Sequence, residues 1–160
     1  MTFLPLYCIS NLNVSNEVGS SLLSIYAIIG IFMTMLGGRL ADKFDLVSMI
    51  RVCTIFYVPS IALIIIAPKI FLVVALMLPV AFATHGSYSP FVVLGQTYLA
   101  KNIGFASGVT LGLSTGLGGV VSPLLGHFAD SFGIEFAMYI LVAIGLLCTI
   151  SSFFLPRPVR

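Results

Sequence analysis

The chain has 160 residues, of which 59% are hydrophobic and 8% charged, with a mean hydropathy of +1.18 and a formal net charge of +2. An ordinary soluble domain carries charge on about a quarter of its positions, so water is excluded as the main solvent. The few charges form no basic run, which excludes nucleic acid as a partner and leaves the lipid bilayer.

Residues 1–10 are apolar but lack the positive leader and small-residue cleavage site of a signal peptide. They are also too few to cross ~30 Å of hydrocarbon, and are read as the outer end of a truncated helix. Further along, charges set the limits. A charge at mid-bilayer costs at least ~2.5 kcal/mol, so spans lie between charged residues. This spacing predicts membrane helices over about 19–38, 51–67, 70–91, 103–125 and 135–155. Only helices satisfy their backbone within such isolated apolar runs. The expected fold is an all-α membrane protein of five full helices and a truncated one, forming one half-domain over 1–160.

Lysine and arginine assign the connections to sides of the membrane, because they are retained in the cytoplasm. Arg39, Lys43, Arg51, Lys101, Arg157 and Arg160 all fall on one side. Lys69, the polar stretch Asn11 to Glu17, and His127, Asp130 and Glu135 fall on the other. The first side is therefore read as cytoplasmic and includes the carboxy terminus, in a plasma membrane. Cys8, Cys53 and Cys148 show no C-x-x-C spacing and no nearby histidine pair, so neither a disulfide framework nor a zinc site is expected. No cofactor is expected either. Asn13-Val14-Ser15 fits a glycosylation sequon, a pattern short enough to arise by chance.

A shift of 88 positions lays Gly38, Ala41, Asp42 and Phe44 over Gly126, Ala129, Asp130 and Phe132. Leu23, Gly30 and Leu36 likewise meet Leu111, Gly118 and Leu124. The two copies end helices of opposite direction. That is an inverted repeat of three helices, the building plan of many secondary transporters.

Gly38-Arg39-Leu40-Ala41-Asp42-Lys43 resembles the loop motif G-x-x-x-D-[RK]-x-G-[RK]-[RK] of the major facilitator superfamily, and the chain resembles helices eight to twelve of that fold. Asp45 stands where the motif has its later glycine, with Leu46 and Val47 where basic residues are usual. More narrowly, Leu94-Gly95-Gln96-x-Tyr98-Leu99 and the run Ile103 to Leu113 resemble the fosmidomycin-resistance branch of drug efflux transporters. The resemblance implies proton-coupled efflux of a small drug-like substrate by alternating access. It also implies a partner, either six amino-terminal helices that this chain lacks or a second copy.

Four groups of residues are candidates for that work. Gly38, Arg39, Asp42 and Lys43 form the expected gating loop, with Asp42 free to pair with Arg39, Lys43 or Arg51. In the resembling family such a contact latches one conformation; otherwise it is a topological anchor. His85 lies inside the third span with Thr84, Gly86, Ser87, Tyr88 and Ser89 ahead of Pro90. Ionisable groups at such depth face a cavity or a partner, so His85, Ser87 and Tyr88, with Ser114 on the next span, are the expected substrate or proton pathway. The competing reading of His85 is a packing hydrogen bond between helices. Gly104, Gly108, Gly112 and Gly116 form a small-residue face at i, i+4 spacing, suited to helix packing against a neighbour or an absent half. Thr110, Ser114 and Thr115 can bind a ligand or simply a carbonyl one turn back.

Gly112-Leu113-Ser114-Thr115-Gly116 also fits the G-x-S-x-G pattern of serine hydrolases, which needs a strand-to-helix elbow. Within an apolar glycine-rich span the match reads as accidental, and no enzyme is expected. His127 and Asp130 are expected to cap the last span or hold a solvated turn. The alternative to a transporter is a transport-inactive membrane fragment that acts as an assembly partner.

Overall fold

Charge-free apolar runs fold as helices throughout the computed structural model, which describes residues 3–12 and 14–157. Met1 and Thr2 of the first apolar stretch, Asn13 of the sequon, and Arg160 among the tail charges lie outside the described residues. The helices are α1 (Phe3–Leu12), α2 (Asn16–Lys43), α3 (Leu46–Ile65), α4 (Ile70–His85), α5 (Tyr88–Tyr98), α6 (Ile103–Phe132) and α7 (Ile134–Phe153), with a short 3-10 turn at Ala100–Asn102 before α6. Among the described residues there is no strand. Five units are long and apolar enough to cross a bilayer: α2, α3, α4 with α5 in tandem, α6 with its preceding turn, and α7. The chain is an all-α membrane protein.

Charges mark where the spans meet the membrane surface better than where the helices end. α2 runs past Arg39 and Asp42 to Lys43, and α3 begins at Leu46, five residues before Arg51. The expected gating loop is therefore the last turns of a helix, and the true connection is Phe44-Asp45. A helix continues across the interface at little cost because water and headgroups solvate its charged side chains, whereas its backbone stays internally paired. Asp45 stops the run by capping α3: its carboxylate accepts from the Ser48 N–H and the Ser48 hydroxyl, both at 3.2 Å.

The fourth span also continues beyond the expected boundary, to Phe132. His127 and Asp130 thus sit inside α6 and do not cap α7, whose first turn follows Gly133 at φ 89° with no side-chain cap. A left-handed φ favours glycine, and this allows the chain to reverse within one residue.

The inverted repeat is visible in the helix bounds. The 88-position offset that carries Leu46 to Ile134 also carries Ile65 to Phe153, so α3 and α7 begin and end at equivalent positions. Asp45 and Gly133 correspond at the preceding turns, and α2 lies over α6 to within a residue or so at each end.

α3 lies at the centre, packed against α4 and α7, while α2 packs against α4 and α5. The main buried cluster draws Leu4, Leu22, Ile61, Ile64, Met77 and Met138 from five helices. By contrast, α6 is buried over only 6% of its apolar stretch, against 22% or more in every other span.

Polar contacts sort the two ends of the bundle as the charge distribution predicts. At one end the Asn11 amide donates to the Glu135 carboxylate, and the Tyr7 hydroxyl donates to the Ile65 carbonyl at 2.6 Å. At the other, Tyr98 donates to the Pro156 carbonyl and Arg157 lies 3.8 Å from Asp45. Arg51 also sits there, donating from Nε to the Ser152 carbonyl at 3.1 Å and from its terminal nitrogen to that of Phe153 at 3.2 Å, with its guanidinium 5.4 Å from the Phe153 ring centre. These carbonyls lie in the last turn of α7, at the negative end of its dipole, and that of Ser152 also accepts from the Leu155 N–H at 3.4 Å. Arg51→Ala is expected to destabilise the bundle by about 2 kcal/mol, read as a lowered midpoint of detergent-induced unfolding; an unchanged midpoint would show the clamp to be decorative.

Candidate functional site

The site is built on a break in the third span. α4 stops at His85, where the Gly86 N–H closes the last turn on the Phe82 carbonyl at 2.8 Å. Ser87 precedes α5 without capping it, its hydroxyl donating back to the Ala83 carbonyl at 2.9 Å, and Gly86 and Ser87 both keep right-handed helical dihedrals, so the interruption is two residues long. Pro90 falls in the first turn of α5, where a missing N–H costs nothing. The span therefore resumes after the break and reaches Tyr98, seven residues past the expected limit of 91.

α2 crosses this break along a stripe of small and polar residues. A Cβ on Gly30 would stand 2.7 Å from Nε2 of His85, so the imidazole occupies space that only glycine leaves open. One turn earlier, the Tyr26 ring lies 5.2 Å from the His85 ring, tilted by 54°. The Tyr26 hydroxyl shares a 2.6 Å hydrogen bond with Oγ1 of Thr84, which is also 2.9 Å from the Val80 carbonyl. Two turns later, Gly37 is pressed against the Gly86 backbone itself.

The result is an open hollow of about 590 Å³ lined by Tyr26, Thr34, Thr84, His85 and Tyr88. Thr84 and Tyr88 also border a smaller hollow of about 210 Å³ between α5 and α6, which includes Ser87, Thr110 and Ser114. The expected pathway residues His85, Ser87, Tyr88 and Ser114 are thus gathered around one break. The walls offer two phenols, an imidazole and several hydroxyls, and no carboxylate or cation. That chemistry can hold an uncharged hydrogen-bonding molecule or pass a proton through the imidazole.

Sequence reading missed the α2 wall. The signal was present: Tyr26, Gly30, Thr34 and Gly38 recur every four residues, marking one helical face. Gly38 faces Ser89, whose Oγ would lie 3.6 Å from an added Cβ.

The other candidates lie apart from this site. Arg39, Asp42 and Lys43 end α2, and no ion pair joins Asp42 to Arg39, Lys43 or Arg51. Arg51 is engaged with α7, and Ala41 is the residue of that turn that packs against Met49 and Cys53, leaving Asp42 exposed. Asp45–Arg157 is the ion pair found among the described residues. On α6, a Cβ at Gly104, Gly108, Gly112 or Gly116 would meet nothing within 4 Å, so this face packs against no described part of the chain. α6 uses the adjacent face instead: Gln96 donates to Ser107 at 2.9 Å, and a Cβ on Gly95 would stand 2.6 Å from Oγ1 of Thr110. Ser114 donates to the Thr110 carbonyl at 2.6 Å within unbroken helix. The serine-hydrolase elbow is therefore absent at Gly112–Gly116.

Membrane-length helices repeated at a fixed offset, with a polar break facing an open hollow, follow the building plan of many secondary transporters. The Major Facilitator Superfamily profile matches residues 1–160, and the chain belongs to that family, a family of transporters and not of enzymes. It is 27% identical over 154 residues to the uncharacterized MFS-type transporter YfnC of Bacillus subtilis (strain 168). That alignment covers 96% of this chain and 37% of the relative, so the chain spans well under half of the relative's length. No solved structure matches the chain.

Proposed function

We propose that the chain is the carboxy-terminal half of a secondary transporter that exports small drug-like molecules in exchange for protons by alternating access. The polar hollow around His85, at a break in an otherwise apolar span, carries this reading. Broken helices at membrane depth are tolerated where they line a cavity, and in transporters they mark the substrate path. Efflux and proton coupling are supported by the likeness of the stretch Leu94 to Leu113 to the fosmidomycin-resistance branch. The excess of Arg39, Lys43, Arg51, Lys101 and Arg157 at one end supports a plasma-membrane protein with that end, and the carboxy terminus, in the cytoplasm.

The bare α6 face supports a further set of helices, or a second copy, as the partner that completes the path. The same face favours a second reading, in which the chain assembles with another membrane protein and moves nothing itself. Accumulation of a fluorescent tracer such as Hoechst 33342 in efflux-deficient cells separates the two. The chain, expressed with its flanking coding sequence, should lower accumulation, and a protonophore should restore it. Accumulation unchanged for every tracer would leave only the assembly role.

The turn Gly38-Arg39-Leu40-Ala41-Asp42-Lys43 is proposed as the latch of one transport conformation, in which the Asp42 carboxylate pairs with Arg39, Lys43 or Arg51 or caps the positive end of a neighbouring helix. Asp42→Asn is expected to abolish transport while membrane levels, measured by immunoblot, stay at wild type. Export at the wild-type rate would reduce Asp42 to a surface anchor.

A further inference from the structure

A different cavity lies between α3, the α4–α5 break and α7. It is a partly open cleft of about 340 Å³, and no α2 or α6 residue borders it. Such a volume falls in the range of small-molecule pockets, about 300–1,000 Å³. Its walls are set by close helix contact: α7 brings Gly145 against Tyr57, where a Cβ would stand 2.6 Å from the ring. Thr149 donates to the Thr54 carbonyl at 3.0 Å, and Thr54 and Ser152 lie 3.3 Å apart through their hydroxyls, tying α3 to α7 beneath the space.

The lining is mostly apolar, with Phe91, Ile144 and Leu155 facing Tyr57, and it contains no charged side chain. Most of its hydroxyls are already engaged. Ser87 donates to Ala83, Thr84 is bonded to Tyr26, Thr54 donates to the Arg51 carbonyl at 3.0 Å, and Ser152 donates to the Thr149 carbonyl at 2.7 Å. The phenol of Tyr57 is the exception, with no hydrogen-bonding partner among the described residues. A hydroxyl beside a mostly apolar lining gains from a partner.

We propose that this cavity binds a small, uncharged aromatic or alicyclic molecule bearing one hydrogen-bonding group that meets the Tyr57 hydroxyl. A charged ligand would find no counter-ion there. A lipid acyl chain would fill the space and leave the phenol unpaired. Thr84 and Ser87 form a wall common to this cavity and to the hollows at the break, so a bound molecule touches the residues that shape the substrate path.

The chain contains no tryptophan, so Leu155→Trp introduces a single reporter in a wall that belongs to this cavity and to neither hollow. In phosphatidylcholine nanodiscs, 4-bromophenol, a heavy-atom quencher, should quench it saturably above the linear background of partitioning. Adding Tyr57→Phe should weaken the saturable component roughly five- to tenfold, the worth of one hydrogen bond. Adding Ala83→Phe, which fills the space, should abolish it. Strictly linear quenching, or saturation unmoved by either substitution at unchanged helicity, overturns the proposal. Quenching by lipids with brominated acyl chains that phenol does not displace would make the cavity a lipid site and overturn it equally. Should Ala83→Phe fail to fold, Tyr57→Phe, which removes only an oxygen, still decides the matter.

Discussion

Gly37→Val is expected to cost the folded bundle at least about 3 kcal/mol, the upper range for overpacking a closely fitted core. The side chain added would overlap the carbonyl and Cα of Gly86, and backbone atoms at a helix break cannot rotate away as a side chain can. α2 would have to lift from the α4–α5 break. With it would go the Gly30 notch that seats His85 and the Tyr26–Thr84 hydrogen bond. The measurement is the midpoint of unfolding in dodecyl sulfate, followed by helicity, together with the yield of monodisperse protein. A midpoint equal to wild type would mean that α2 does not approach the break so closely.

Gly112→Ala supplies the control, because its Cβ would meet nothing in the chain. There the exchange should be neutral, or stabilising by up to about 1 kcal/mol through helix propensity. Two glycines on different spans thus have opposite expected effects, set by what stands opposite and not by the residue type.

This contrast also shows what the sequence could disclose. The class of fold was legible because an apolar run near twenty residues long has few ways to satisfy its backbone in lipid. The inverted repeat was legible too, since Gly38-Ala41-Asp42-Phe44 keeps its register with Gly126-Ala129-Asp130-Phe132, and the bounds of α3 and α7 repeat it. Helix ends were not legible. The charges of Arg39 and Arg51 set expected limits at 38 and 51, yet a charged side chain at the membrane surface is compatible with helix, and α2 and α3 both run past those limits.

Of the candidate site, His85 and its polar neighbours stood out because polarity is rare within a span. Their α2 wall did not, because glycine and tyrosine are unremarkable in an apolar run unless their four-residue spacing is followed. Nor could spacing alone tell which glycines touch something. The stripe at Gly104 to Gly116 has the more regular pattern and no neighbour among the described residues, whereas Gly30 and Gly37 are where α2 closes on the break.

The largest functional effect is expected at His85, and two substitutions separate its possible roles. Glutamine is close in length and keeps a donor and an acceptor but cannot exchange a proton near neutral pH, whereas phenylalanine keeps the ring and loses both properties. With no carboxylate lining either hollow, the imidazole is the group there able to change charge in the physiological range. In the assembled transporter, His85→Gln should retain tracer binding but lose the acceleration of export by an imposed pH gradient. A drop of roughly tenfold corresponds to about 1.4 kcal/mol on the barrier. His85→Phe should lose binding as well, because the hollow would then present a third apolar ring beside Tyr26 and Tyr88. Export in inverted vesicles, with and without the gradient, reads both variants. If His85→Gln responds to the gradient as wild type does, the proton travels elsewhere and the imidazole serves only to hold substrate. If both variants export normally, His85 is a packing residue in the Gly30 notch, and the path must be sought along the bare face of α6.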